Sequence, residues 1–236
     1  MLRISSKALC VDNLDPVFSL LRHELGNPVN SLKVTLEVLI RNYDHLDDAK
    51  RLDFLKRAHE QVTRQQRFLD AMKTYSRIRV DDVEPVLFTP IWNSFLHTLR
   101  LKMIEHGIYL IHNAPEGPIW ITAESTALAQ ALELVSDNAI DAVQTVSSPA
   151  FEIRINPNGH YLGIYIIDNG CGLKEEYLQK VFTPMFTTKE GRLGLGLSIA
   201  QRIIGKMQGW IDIASEPGRG TEVSVWVKMA EKPEDL

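Results

Sequence analysis

Ile166-Ile167-Asp168-Asn169-Gly170-Cys171-Gly172 is the stretch whose reading decides the fold. An apolar run over Leu162–Ile167 stops at a carboxylate and a glycine-rich loop. The run reads as a buried strand. Asp168 stands at its end, where a buried carboxylate can accept a hydrogen bond from the amino group of a ligand. Gly170 and Gly172 permit dihedrals closed to other residues and allow a close approach of backbone to ligand. A lone DxGxG also fits an ordinary strand-ending turn, so its neighbours must decide.

Upstream, Leu134-Val135-Ser136-Asp137-Asn138-Ala139-Ile140-Asp141-Ala142 lies late in a helix predicted over Ser125–Val146. Asn138 and Asp141 share one face of it. An amide oxygen is a hard ligand for Mg²⁺, which keeps several waters and bridges phosphates. Downstream, Phe182-Thr183-Pro184-Met185-Phe186-Thr187-Thr188-Lys189 runs into Gly191-Arg192-Leu193-Gly194-Leu195-Gly196-Leu197-Ser198. Glycines opening a helix present free N–H groups and a positive dipole end to phosphate oxygens. Lys189 and Arg192 add charge, Thr187 and Thr188 add hydroxyls, and Phe182 and Phe186 can anchor the loop. Neither GxxxxGK[ST] nor GxGxxG occurs, so this is not a Walker loop or a dinucleotide fingerprint. Each piece is weak alone; their order, spacing and number are not.

Around this centre, strands are predicted at Ile108–Ile111, Ile119–Ile121, Phe151–Ile155, Leu162–Ile167, Trp210–Ala214 and Thr221–Val227. Asn156-Pro157-Asn158-Gly159 and Glu216-Pro217-Gly218-Arg219-Gly220 supply turns. Helices are predicted over Ile91–Glu105, Ser125–Val146 and Gly196–Met207. Such a mixture gives an α/β sandwich with helices on one face of a mixed sheet.

The first third of the chain has a different texture. Asp15 to Tyr43 reads as one long helix, with Asp15 as cap, Pro16 in its first turn, and Leu21, Leu25, Pro28, Leu32, Leu36 and Leu39 forming an apolar seam. The polar break Asp44–Asp48 closes a turn. A second helix follows to about Arg79, with Leu52, Leu55, Val62 and Leu69 as its seam. Two helices alone cannot enclose a core, so the hairpin is expected to pair with a second copy as a four-helix bundle. The boundary falls at Val80–Pro85, giving domains 1–82 and 83–236.

The first helix carries His23-Glu24-Leu25-Gly26-Asn27-Pro28. His23 lies about half a turn from the leucine seam and faces solvent. Glu24 can accept the imidazole proton, which raises the nucleophilicity of the other ring nitrogen. Asn27, one turn on, can orient a water. Pro28 removes a backbone hydrogen bond, at a cost of about 3 kcal/mol in a helix interior, and should bend the helix. A surface histidine beside a surface glutamate is the plain alternative reading of this hexapeptide.

These motifs together resemble the transmitter of two-component sensor histidine kinases over nearly the whole chain. His23 to Pro28 matches that family's HExxNP box, which implies His23 as phosphoacceptor. Asn138 to Ala142 matches the asparagine box, with Asn138 as the implied Mg²⁺ ligand. Asp168, Gly170 and Gly172 match the first glycine box, with Asp168 on adenine. Phe182 to Lys189 matches the phenylalanine box, including Thr187 and Lys189. Gly194-Leu195-Gly196-Leu197-Ser198 matches the second glycine box, and Gly220-Thr221 the closing pair, with Thr221 near adenine. The resemblance implies a dimerising phosphoacceptor hairpin joined to an ATP-binding domain of the fold shared with gyrase and Hsp90-type ATPases. Two positions depart from the pattern. Leu134 stands where the family usually carries Asn or Glu, with Glu133 one position off; Arg192 stands where a glycine is expected. Both bear on catalytic rate more than on nucleotide binding.

The activity implied is ATP- and Mg²⁺-dependent autophosphorylation of His23 and phosphotransfer to an aspartate of a response regulator receiver domain. Asn27 adds a possible hydrolysis of the regulator's aspartyl phosphate. The alternatives are a phosphotransfer or scaffold protein with a degenerate ATP site, favoured by Leu134, and an ATPase that drives conformational change. With 236 residues, 44% of them hydrophobic, and a formal net charge of -4, the chain has no strongly basic stretch, so nucleic acid is a poor partner. Cys10 and Cys171 form no CxxC pair and suit a reducing compartment. With no apolar run long enough to span a bilayer and no signal peptide at Met1, the expected location is the cytoplasm.

Overall fold

The computed structural model describes residues 1–7, 15–76, 78–189 and 192–233; the side chains at 15–27, 67, 71–72 and 74–76 are outside the description. In chain order the elements are β1 (Leu2–Ser5), α1 (Asp15–Arg41), a short 3₁₀ turn (Tyr43–His45), α2 (Asp48–Ser76), β2 (Glu84–Leu87), α3 (Phe88–His106), β3 (Tyr109–His112), β4 (Trp120–Ala123), α4 (Ser125–Val143), β5 (Ala150–Asn158), β6 (Tyr161–Asp168), α5 (Glu175–Leu178), α6 (Gly196–Lys206), β7 (Trp210–Glu216) and β8 (Gly220–Lys228). They form a helical unit around Asp12–Arg77 and an α/β unit that holds Met1–Val11, Ile78–Glu190 and Gly194–Leu236.

In the helical unit, α1 runs without interruption through Pro28. Asp47 caps α2 by accepting from the Lys50 amide at 2.8 Å, which holds its carboxyl below the ordinary carboxylate value. Arg51 closes the turn by donating to the Tyr43 carbonyl at 2.8 Å. Leu39, Ala58 and Phe68 are buried. The seam predicted for α2 is different: Leu52, Leu55, Val62 and Leu69 remain 52%, 52%, 51% and 44% exposed. By helical spacing Ala58 lies one turn from both Leu55 and Val62, at the edge of that seam, and Phe68 lies about 100° round from Leu69. The hairpin thus covers one edge of the apolar surface of α2, while the seam itself stays half exposed among the described residues.

The main sheet of the α/β unit has the order β1-β7-β8-β6-β5-β3, with β2 and β4 as a separate antiparallel pair. Only β3–β5 is parallel; the other pairs are antiparallel. Period-two alternation sends Phe151, Ile153, Leu162, Ile164, Ile166, Ile213 and Val225 to the buried inner face. Against them lie Leu128, Leu132, Val135 and Ile140 of α4 and Ile199, Ile203 and Ile204 of α6. The outer face is closed by aromatic rings. Trp210 and Trp226 stack with centroids 5.5 Å apart, Tyr161 and Tyr165 meet them edge-on, and both indole N–H groups donate to Asp212 Oδ2. Gly163 leaves space for this ladder, since a Cβ there would lie 2.9 Å from the Tyr165 ring.

Three expectations need correction. The helical domain expected over residues 1–82 does not include its first residues, since Leu2–Ser5 pairs with β7 as the sheet's edge strand; four residues are too few for alternation to announce a strand. The turn expected at 156–159 is tighter. Pairing continues to Asn158↔Tyr161, so Gly159 and His160 alone make the loop, with Gly159 at φ 61°. The α3 and α4 boundaries also move, α3 starting at Phe88 and α4 ending at Val143.

Candidate functional site

Asp168 ends β6 and is buried at 5% exposure. Its Oδ1 accepts from the Gly170 amide at 2.8 Å. Burial pushes its carboxyl up to about 6, against the pull of the Gly170 and Thr221 amides and the Lys189 charge. The glycine loop that follows is fixed by close approaches. A Cβ on Gly170 would lie 2.6 Å from the Ala142 carbonyl oxygen at the end of α4. Gly172, at φ 64°, admits no Cβ because the Glu216 carbonyl oxygen of β7 occupies that space. Asn169 staples the loop to the start of β5, accepting from Ala150 N at 2.9 Å and donating to Ser148 O at 2.8 Å.

Thr221 pairs directly with Asp168 across β6 and β8. Its hydroxyl lies 2.9 Å from Ser215 Oγ, which also accepts from Leu173 N at 2.9 Å. Sequence reasoning missed Ser215 and the structural need for Gly220. Gly220, at φ 98°, packs its Cα against the Asp168 carbonyl oxygen. The available signals were a serine between Ala214 and Glu216 at the end of β7 and the glycine pair Gly218 and Gly220.

The other end of the site is built on α4. Asn138 donates its Nδ2 to the Leu134 carbonyl at 3.0 Å, so its amide oxygen is the end left for a ligand. Lys189 donates to the Asn138 carbonyl at 3.2 Å and to Asp141 Oδ2 at 3.3 Å. Thr187 supports Lys189, its hydroxyl accepting from the Lys189 amide at 3.1 Å. The loop crosses itself where Met185 N donates to Gly194 O at 2.8 Å; Gly194 sits at φ 66° under the Phe186 carbonyl. Phe182 is buried, and Phe186 lies 5.9 Å from the Tyr177 ring, so both phenylalanines anchor the loop. Leu195 precedes α6 without a side-chain cap. The first amides of α6 are therefore open to an anion. Gly196 brings that end to Asn138, since its Cβ would lie 3.3 Å from Asn138 Nδ2.

The structure thus brings Asn138, Asp141, Lys189, Gly194, Leu195 and Gly196 together at one end of the site, and Asp168, Gly170, Gly172 and Thr221 at the other. α4 is regular throughout, so Glu133 stays out of register with Asn138 and Leu134 keeps its flank apolar. His23, Glu24 and Asn27 belong to α1; their side chains, like that of Asp15, lie outside the described residues. Among the described residues no group of three His, Cys, Asp or Glu side chains converges on a metal position. No described helix is long and apolar enough to cross a membrane.

A mixed sheet under helices, a buried strand-end carboxylate and an uncapped glycine-led helix define a nucleotide-binding α/β sandwich. The model of the Histidine kinase-, DNA gyrase B-, and HSP90-like ATPase family matches residues 110–231, that of the His Kinase A (phospho-acceptor) domain matches residues 17–80, and the chain belongs to the family whose transmitter core joins these two domains, the sensor histidine kinases. Signal transduction histidine-protein kinase AtoS of Escherichia coli is 27% identical over 201 residues, covering 84% of this chain and 32% of its own length. Sensor histidine kinase WalK of Bacillus subtilis is 25% identical over 226 residues, covering 90% and 36%. The chain therefore spans about a third of these curated relatives. In fold it is similar to full-length ShkA in complex with AMPPNP (TM-score 0.60, 19% identity, 92% of this chain and 46% of that one). It is equally similar to histidine kinase ThkA in complex with response regulator protein TrrA (TM-score 0.60, 22% identity, 92% and 62%).

Proposed function

We propose that this chain is an ATP-dependent autokinase that phosphorylates His23 and passes the phosphoryl group to an aspartate of a response regulator receiver domain. The observation that carries the reading is the α4–α6 junction, where Asn138, Lys189 and the open amides of α6 meet, in a chain whose phosphoacceptor-domain match includes His23. Asp168 accepts a hydrogen bond from the adenine amino group. The α6 amides and Lys189 hold the phosphates. An imidazole nitrogen of His23 attacks the γ-phosphorus, the bond to the β,γ-bridging oxygen breaks, ADP departs, and Glu24 takes the imidazole proton. Asn27 orients water for the reverse activity on the regulator.

Asn138 fits Mg²⁺: its amide oxygen, a hard donor left free by the Nδ2 contact to Leu134, would hold the metal beside the nucleotide phosphates. When bound, the metal neutralises charge on the phosphates. The helical hairpin, residues up to about 82, serves as dimerisation and phosphoacceptor domain, and residues 83–236 with β1 serve as the ATP-binding domain. The exposed stripe of Leu52, Leu55, Val62 and Leu69 supports a homodimer.

The test is incubation with γ-labelled ATP and Mg²⁺, then a chase with a receiver domain. An acid-labile label that is absent from His23→Gln and moves to the receiver is the expected result. ATP binding with no label on the wild-type chain would turn the reading to a phosphotransfer or scaffold protein.

A further inference from the structure

β1 lies outside both spans matched by the family models, which begin at residues 17 and 110, yet it completes the edge of the ATP-binding sheet. Leu2, Arg3, Ile4 and Ser5 pair with Ser215, Ala214, Ile213 and Asp212 of β7. Ser6 extends the pairing and is itself buried. Its amide donates to Ile211 O at 2.8 Å, and its hydroxyl accepts from Ile211 N at 2.8 Å. Lys7 lies over the Trp210 ring at 4.1 Å, and Arg3 reaches Glu222 at 3.4 Å. Leu2 stays 44% exposed, so the strand is held by its ladder and by edge contacts rather than by a buried apolar face. Such a strand can come off while the sheet beneath remains folded.

The residue opposite Leu2 is Ser215. It is fully buried, and its hydroxyl holds two parts of the nucleotide site, the Leu173 amide just after the glycine loop and the Thr221 hydroxyl opposite Asp168. The neighbouring Glu216 carbonyl is the surface against which Gly172 packs. α5, which follows the loop, lies against β1 itself. The end of β7 is thus the shelf under the adenine loop, and β1 is the outer support of that shelf.

We infer that β1 is a positioning strand for the nucleotide site: docked on β7 it holds Ser215 and Glu216 in the geometry that the Gly170–Leu173 loop and Thr221 require, and undocked it lowers nucleotide affinity. Leu2, Ile4 and Ser6 act through β7 and touch no substrate. The inference rests on the ATP-binding reading above and makes the N-terminal segment a control point for that site.

The test compares the full chain with a chain lacking residues 1–7, using AMPPNP with Mg²⁺ in calorimetric titration and amide hydrogen exchange. Removal is expected to raise the AMPPNP Kd by about fivefold and to speed exchange at Leu173 and Thr221; a peptide of residues 1–7 added in trans restores both. Ser6→Ala gives a smaller loss of affinity, and Ser6→Thr, which keeps the hydroxyl, regains it. If the shortened chain fails to fold, the Ser6 pair decides alone. Equal AMPPNP affinity in full chain and variants would overturn the inference, and so would weaker binding with Leu173 exchange unchanged. A full chain that holds no AMPPNP at all would remove the ATP reading as well, which separates the two failures.

Discussion

Lys189 Nζ lies 3.3 Å from Asp141 Oδ2 and 3.2 Å from the Asn138 carbonyl, so the cation of the loop before α6 rests on the helix that bears the hard oxygen donor. Its charge also reaches Asp168, where it opposes the effect of burial. Lys189 is therefore placed at the Asn138 end of the site, held there by α4.

On the proposed reading, replacing Lys189 with Met removes a charge-assisted contact to phosphate. Nucleotide affinity should fall about tenfold, equivalent to about 1.4 kcal/mol. Calorimetric titration at two salt concentrations checks it, and the variant should show the shallower salt dependence. Unchanged affinity would remove Lys189 from the phosphate site.

Asp168 should make nucleotide binding pH-dependent. Its carboxylate is the acceptor proposed for the adenine amino group, and burial raises it to about 6 from an ordinary 3.8. Affinity should decline as pH falls through 6, and Asp168→Asn should lose both the dependence and most of the affinity. Stability runs the other way. The folded state takes up this proton at higher pH than the unfolded chain, so the group's contribution is most favourable below 3.8 and is lost as pH rises to about 6. The ionised form then costs about 3 kcal/mol. The nucleotide-free Asn variant should accordingly unfold at higher urea concentration than the wild type at pH 7.

The exposed stripe on α2 gives a prediction about assembly. Val62→Glu places a charge between Leu55 and Leu69, which are 52% and 44% exposed in one chain. Sedimentation should find the wild type as a dimer and the variant as single chains, with helix content retained because Ala58 and Phe68 still pack within the hairpin.

The nucleotide loops were legible in the sequence because each glycine answers a local demand. Gly170 passes under Ala142, Gly172 packs against Glu216, and Gly194 turns under Phe186, and no other residue type meets those demands. β6 itself was legible as an apolar run over Leu162–Ile167, and the structure adds that Leu162, Ile164 and Ile166 are the members buried on its inner face. What escaped notice depends on distant partners. β1 is a strand only because β7 lies beside it, and Ser215 matters only because Leu173 and Thr221 converge on it. In α2 Leu55, Val62 and Leu69 at seven-residue spacing, with Leu52, marked the seam that stays half exposed, while a small Ala58 at its edge and a single Phe68 marked the internal contact.

Two glycines with similar φ separate strain from collision. Gly159→Ala, at φ 61° in open space, should cost about 1 kcal/mol. Gly172→Ala, at φ 64° against the Glu216 carbonyl, should cost about 3 kcal/mol and weaken nucleotide binding. Urea unfolding of the two variants measures the difference, and equal losses would contradict the close-packed loop.

The central claim is that the γ-phosphoryl group of ATP arrives on the His23 imidazole. Mass spectrometry of peptides from ATP-treated protein, kept at neutral to alkaline pH to preserve phosphohistidine, reads it directly. The account predicts a phosphorylated peptide whose fragment ions place the group on His23. A phosphoryl group on any other residue, or an unmodified His23 peptide from protein that has hydrolysed its ATP, would contradict it.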